Sequence, residues 1–306
     1  MTDPGLQVTF EEAPPLPRWL APAFSYNRRV AVIGDYRVHF VDHGAGLPVV
    51  MQHGNPTWSF LWRKVLAALD GSGLRLIAPD LVGLGLSTKP RALAWHTLDH
   101  HTEVMTALVR ALVGERFIAV GQDWGGPIVG SVCANLPERV AGVVFANTGV
   151  SPPRETRPLS SFHKLAHTPV VSDFVFRVLG MPQGALHKVQ GNPASIGAFE
   201  RRCYQWPLRK LADRAAPLAL ARMVPTGPEH PTAPAMQRVH DWARGFEGPA
   251  ALVWGKRDPI LGRLLPKMQE IFPDAPVTET EAGHFLQEEV PDAIAAAIRD
   301  VAARTA

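Results

Sequence analysis

Cysteine is almost missing from this chain: Cys133 and Cys203 are the only two in 306 residues. No disulfide framework is needed, and a CxxC metal or redox site is excluded. A reducing compartment is compatible with that. Charge of one sign is also scarce. The formal net charge is +3, too small to argue for a nucleic-acid partner or a membrane surface, and no basic run is interleaved with aromatics. No uninterrupted apolar run reaches the length of a membrane span. The first residues, Met1-Thr2-Asp3-Pro4-Gly5, carry neither a positive region nor an apolar one, so no secretory signal is read there. The expectation is a soluble, cytoplasmic protein. What the chain does have is an apolar content of 46%, enough for a large core in one large domain or two smaller ones.

Taken in order, residues 5–27 are rich in proline and aromatics and read as an irregular lead-in. Residues 29–33 and 36–41 alternate around Gly34-Asp35, a hairpin signal. Residues 48–52 and 74–78 are buried-strand candidates, separated by the polar loop His53-Gly54-Asn55-Pro56-Thr57 and a helical pattern over 58–69. A helix over 97–112 leads to a strand at 117–121, a second helix to about 136, and an apolar strand at 140–146. His100-His101 is expected on a solvated helix face, and no metal-ligand spacing is present. The regularity breaks after Asn147: residues 150–226 hold helical fragments, prolines and scattered aromatics. Alternation then resumes, with a helix near 235–244, a strand at 250–254, a helix near 262–272, a strand at 277–279 and a final helix from 291. Apolar strands alternating with helices imply an α/β protein whose mostly parallel sheet is covered on both faces. The core is expected to be 1–149 and 227–306, with 150–226 inserted as a helical cap.

One stretch organises the rest, Phe117-Ile118-Ala119-Val120-Gly121-Gln122-Asp123-Trp124-Gly125-Gly126. It has the small-x-nucleophile-x-small pattern of a strand-to-helix elbow, with Asp where Ser more often stands. On its own, Asp123 reads equally as a residue capping the next helix. Asp258, before Pro259, is by itself a turn residue, and His284 a loop histidine. Together, Asp123, Asp258 and His284 each fall just past the C-terminal end of an expected strand, the edge where open α/β sheets bind ligands. Their order (nucleophile, acid, base) is that of an α/β-hydrolase triad.

The segments His53-Gly54-Asn55-Pro56-Thr57-Trp58, Gln122-Asp123-Trp124-Gly125-Gly126 and Ala282-Gly283-His284-Phe285-Leu286-Gln287-Glu288 together resemble a haloalkane dehalogenase, over nearly the whole chain and least in the insertion. The resemblance implies Asp123 as nucleophile, His284 as base and Asp258 as acid. Some members carry the acid after the strand that here ends at Asn147; because 147 is Asn, the acid falls to Asp258. Asn55 and Trp124 would hold the leaving halide, and their backbone N–H groups would form the oxyanion hole. This combination resembles a subgroup in which self-association is common, so a homo-oligomer is an expectation too.

The chemistry asks for the same residue types. A serine attacking an sp3 carbon would leave an ether that water does not readily cleave, whereas Asp leaves an ester. A neutral His284 can activate water against that ester, with Asp258 fixing its tautomer. Halide requires N–H donors, which the Trp124 indole and Asn55 amide supply. The implied partners are a small apolar halogenated substrate, water and chloride or bromide, with no cofactor and no metal. Phe162, Phe174, Phe176 and Trp206 are candidate walls of an apolar pocket. Rival readings are an epoxide hydrolase, for which the insertion offers only Tyr204 where a pair of tyrosines is expected, and a catalytically silent binding protein of the same fold. A haloacid dehalogenase would need an Arg near the nucleophile, and Trp124 stands there instead.

Overall fold

The computed structural model describes residues 7–156 and 158–305. Nine strands form one sheet in the order β1-β2-β3-β5-β4-β6-β7-β8-β9. They are β1 (Val8–Glu12), β2 (Arg28–Ile33), β3 (Tyr36–Gly44), β4 (Leu47–Gln52), β5 (Leu74–Pro79), β6 (Phe117–Gln122), β7 (Val140–Ala146), β8 (Ala250–Gly255) and β9 (Val277–Thr280). The first three make an antiparallel meander that joins β5 antiparallel. From β5 onward every pairing is parallel.

Strands β6 and β8 are buried at every position, so their sequences are apolar throughout rather than alternating. Successive side chains still point to opposite faces. Phe117 and Ala119 enter one hydrophobic core, and Ile118 and Val120 the other. The first core is closed by α2 (Leu98–Leu112), α3 (Gly125–Asn135), α8 (Ala233–Arg244) and α9 (Leu265–Ile271). The second is closed by α1 (Arg63–Ala68) and α11 (Pro291–Arg304). Each fully buried Leu, Ile or Phe contributes about 1.5–3 kcal/mol, so two such layers fix the strand ends firmly.

Between β7 and α8 there is no strand among the described residues. The segment is built from short helices, α4 (Ser161–His167), α5 (Val171–Asp173), α6 (Ala198–Gln205) and α7 (Ala215–Arg222). It has a small core of its own, Ala166, Phe176, Leu218 and Ala221. A buried charge cluster ties it to the rest. Glu288, in α10 (Leu286–Glu289), accepts from both Arg63 nitrogens at 2.5 and 2.8 Å and from the Tyr204 hydroxyl at 2.5 Å.

Three sequence expectations change. The lead-in contains β1, whose Phe10 packs edge-on against Phe40 at 6.0 Å; two glutamates ending a five-residue strand hide its pattern. The helix expected over 58–69 opens as a 3-10 turn, Ser59–Trp62, before α1, with Asp80 Oδ1 taking the free Ser59 N–H at 2.6 Å. His101 is not solvated: it is buried beside His96, and burial pushes it well below 6.5.

Candidate active site

The β6–α3 turn forces Asp123 to a φ of 52°, a conformation that non-glycine residues hold only when the surroundings impose it. They do. The Asp123 N–H donates to Asn147 O at 3.1 Å, and its carbonyl accepts from Gly126 N–H at 3.1 Å and from the Thr148 hydroxyl at 2.7 Å. Gly125 is needed where the turn crosses β4, since a Cβ there would lie 2.0 Å from Gln52 O. The Asp123 carboxyl therefore projects over the C-terminal edge of the sheet.

Two backbone donors hold that carboxyl. Asn55 N–H reaches Oδ1 at 2.7 Å, and Trp124 N–H supplies the second. The loop bearing Asn55 is set by His53, whose Nε2 accepts from Leu81 N–H at 3.0 Å while Nδ1 donates to Gly54 O at 2.9 Å. Oδ2 faces His284 Nε2 at 3.6 Å. His284 Nδ1 donates to Asp258 Oδ2 at 2.9 Å, and Asp258 Oδ1 accepts from Ile260 N–H at 2.7 Å. Asp123, His284 and Asp258, from three strand ends, thus form one line of contact.

Burial sets the electrostatics. It raises the Asp123 carboxyl above the ordinary range, against the pull of His284 and of the Trp124 and Asn55 N–H groups. It would also lower His284, but the charge and hydrogen bond of Asp258 outweigh it and leave the imidazole above 6.5. Asp258 would be raised by burial, yet His284 holds it below the usual carboxylate value. An imidazole between two carboxylates, one in hydrogen bond and one just outside it, can accept a proton and be stabilised as it does so.

The side-chain donors of Asn55 and Trp124 are both turned toward α7. Asn55 Nδ2 donates to Pro217 O at 3.1 Å and Trp124 Nε1 to Leu220 O at 3.0 Å. Of the four candidate pocket residues, Phe162 and Phe176 pack together at 5.5 Å in the small core that includes Leu218 and Ala221 of α7. Phe174 corrects the expectation: it is 54% exposed on the outer surface, because Phe176 and Ser172 take the buried positions beside it. Trp206 lies between Trp58 and Trp19, at 6.5 Å from each.

Three residues that matter were not singled out as site residues. Asn147 holds Asp258. Gln122 donates to His284 O at 3.0 Å. Asp80 is fully buried and fixes the neighbouring loops, accepting from His39 Nδ1–H at 2.8 Å and Leu86 N–H at 2.7 Å; its signal was a carboxylate closing an apolar strand at Pro79-Asp80. Among the described residues no group of three or more His, Cys, Asp or Glu side chains is placed to hold a metal ion. Nor is any helix long and apolar enough to cross a membrane.

An acidic residue on a strained elbow, with its histidine and second carboxylate on later strands of a largely parallel sheet, defines an α/β hydrolase. The alpha/beta hydrolase fold family matches the chain over residues 48–176. Closer relatives narrow this. Haloalkane dehalogenase 2 of Mycobacterium tuberculosis is 35% identical over 283 residues, spanning 86% of this chain and 90% of that protein. A haloalkane dehalogenase of Mycobacterium marinum is 31% identical over 83% of this chain and 84% of its own. Among solved structures, haloalkane dehalogenase DatA from Agrobacterium tumefaciens superposes with a TM-score of 0.81 at 26% identity, covering 94% of this chain and 99% of that one. The tetrameric DpaA from Paraglaciecola agarilytica matches in fold at a TM-score of 0.76, with 24% identity and coverage of 90% and 92%. The chain belongs to the haloalkane dehalogenase family.

Proposed function

We propose that this chain is a hydrolase acting on carbon–halide bonds, converting a haloalkane and water to an alcohol, halide and a proton through an ester on Asp123. The 3.6 Å approach of His284 Nε2 to Asp123 Oδ2 carries the reading. In the first step an Asp123 oxygen attacks the halogen-bearing carbon in line, the carbon–halogen bond breaks, and the electron pair leaves with the halide. In the second, neutral His284 takes a proton from water as its oxygen adds to the ester carbonyl. The Asn55 and Trp124 N–H groups stabilise the oxyanion. Collapse releases the alcohol and restores the Asp123 carboxylate. Asp258 holds the imidazole in the tautomer that leaves Nε2 free to accept.

The halide falls to Asn55 Nδ2 and Trp124 Nε1, the family's donor types. Both now donate to carbonyls of α7, so halide binding in this reading exchanges Pro217 O and Leu220 O for the anion and requires α7 to draw back. The helical segment 150–226 then acts as a cap, with α7 over the nucleophile. Tyr204 speaks against ring protonation of an epoxide: its hydroxyl is committed to Glu288 and its ring packs on Phe60 at 5.5 Å.

The test is halide release from terminal bromo- and iodoalkanes beside styrene oxide and fluoroacetate, for the parent and for Asp123→Asn. Halide from the parent alone supports the proposal; diol from the oxide with no halide replaces it with an epoxide hydrolase. Intact-mass analysis of His284→Gln after substrate addition should find one alkyl group added on Asp123. An unmodified His284→Gln chain that has nonetheless released halide overturns the ester.

A further inference from the structure

The large apolar side chains left exposed in the described residues fall between positions 170 and 211. Val170 is 80% exposed, Leu179 61%, Phe174 and Leu211 54%, with Val171 and Val178 beside them. Val170 keeps its side chain on the surface at a φ of 63°, where a glycine would sit without strain. The turn carrying Leu211 packs beside Phe174–Val178. Leu179 then borders a groove of about 370 Å³ floored by Trp19 and Trp206. Phe199, also exposed, meets the edge of Trp19 at 6.2 Å. Exposed apolar area of this extent on one face marks a surface that meets something else.

The charge around it indicates what. Among the described residues no carboxylate lines the groove, whereas Arg202, Arg209 and Arg214 do. The Arg202 guanidinium stacks over Trp19 at 4.0 Å and Arg209 over Trp206 at 5.1 Å. Residues 170–214 hold seven lysines and arginines against three carboxylates, a larger excess than the +3 of the whole chain. The small net charge that argued against a membrane surface is therefore an average over a net acidic core and a basic, apolar insertion. We infer that this outer face docks on a membrane whose surface is rich in anionic lipid headgroups. Phe174, Leu179 and Leu211 enter the acyl boundary, while Trp19, Trp206 and the arginines sit at headgroup level. A second copy using the same face would set arginines against arginines. The haloalkane reading supplies only the purpose: apolar substrates partition into lipid, and the docked face backs the segment whose α7 covers Asp123.

The test is co-sedimentation of the full chain with sucrose-loaded vesicles, of phosphatidylcholine alone or mixed equally with phosphatidylglycerol. The chain should pellet with the mixed vesicles, about tenfold or more less with phosphatidylcholine alone, and less as salt rises. Leu179→Asp combined with Leu211→Asp, and separately Arg209→Glu with Lys210→Glu, should each cut the bound fraction about tenfold. Halide release from a short, water-soluble bromoalkane should be unchanged in both. Failure to pellet with either vesicle, or pelleting indifferent to both double variants, overturns the inference. So does a dimer in sedimentation equilibrium that Leu179→Asp with Leu211→Asp dissolves, which would give the face to a second copy. An absence of halide release would overturn the catalytic reading and leave the vesicle result standing.

Discussion

Asn147 Nδ2 donates to Asp258 Oδ2 at 2.8 Å, and the same amide also reaches the end of β8 and the loop after β9. It donates to Gly283 O at 3.1 Å, beside His284, and its Oδ1 accepts from Gly255 N–H at 2.8 Å. Through its main-chain carbonyl it also receives the Asp123 N–H. One fully buried residue, through its side chain and its main chain together, thus joins the segments that carry all three members of the proposed triad.

Removing that amide should loosen Asp258 rather than delete it. Asn147 has a φ of 33°, so Asn147→Gly removes the side chain without adding backbone strain. The Gly255 N–H would be left buried and unpaired, costing about 1–3 kcal/mol, measurable by chemical denaturation. With Asp258 less well held, ester hydrolysis should slow about tenfold or more, while the alkylation step, read by rapid quench, changes much less. Equal slowing of both steps would mean that Asn147 does not act through Asp258.

The pH dependence follows from His284. Its folded pKa is raised above 6.5, and hydrolysis needs the neutral imidazole. Single-turnover ester decay should therefore rise with pH through that raised value, above 6.5, and fail below it. In Asp258→Asn the carboxylate that raises His284 is gone, so the midpoint should move to lower pH. The stability term has the opposite sense. A raised histidine contributes stability present below its unfolded value near 6.5 and lost as pH rises through the folded pKa. Asp258, lowered from 3.8, contributes stability present above that value and lost as pH falls through its lowered one. A midpoint unmoved in Asp258→Asn would refute the coupling.

The Arg63–Glu288–Tyr204 cluster predicts a large asymmetry between two substitutions. Arg63→Met leaves Glu288 buried with only Lys64, at 3.0 Å, to balance it, and should cost about 3–5 kcal/mol. Tyr204→Phe removes one hydrogen bond to a charged acceptor and should cost about 1.5–3 kcal/mol. Haloalkane turnover in Tyr204→Phe should stay within a few-fold of the parent, because the hydroxyl faces Glu288 and not Asp123. A collapse of kcat in a folded Tyr204→Phe would put the phenol into the chemistry.

The sheet was legible because its central strands are short, apolar and closed by polar turn residues. Asp123 and Asp258 were legible for the same reason, as each follows such a strand, β6 and β8; His284 follows the polar edge strand Val277–Thr280, and its place was legible from the chain order nucleophile, acid, base. Strand β1 was not, since proline and glutamate around Val8-Thr9-Phe10 mask a pairing that depends on β2. The contacts of Asn55 and Trp124 with α7 could not be read at all: their acceptors are main-chain oxygens of Pro217 and Leu220, which no side chain announces. Nor does the spacing between Arg63 and Glu288, 225 positions apart, signal that the two meet.

Gly54 offers the narrowest test of the nucleophile's setting. A Cβ at this position would lie 2.2 Å from Asp123 Oδ1 and 2.5 Å from its Cβ, so Gly54→Ala cannot keep the carboxyl where Asn55 N–H now meets it. The loop is anchored independently by His53 and by the Thr57 hydroxyl, which donates to Gly54 O at 3.1 Å, so the chain should still fold and the carboxyl should give way. Displacing a reacting group by about 1 Å costs on the order of a hundredfold in rate. Alkylation, measured as the halide burst in a rapid-quench experiment, should fall by about that factor, with the unfolding midpoint little changed. An undiminished burst would mean that Asp123 works from another rotamer, and the 3.6 Å approach to His284 would lose its standing as the reactive geometry.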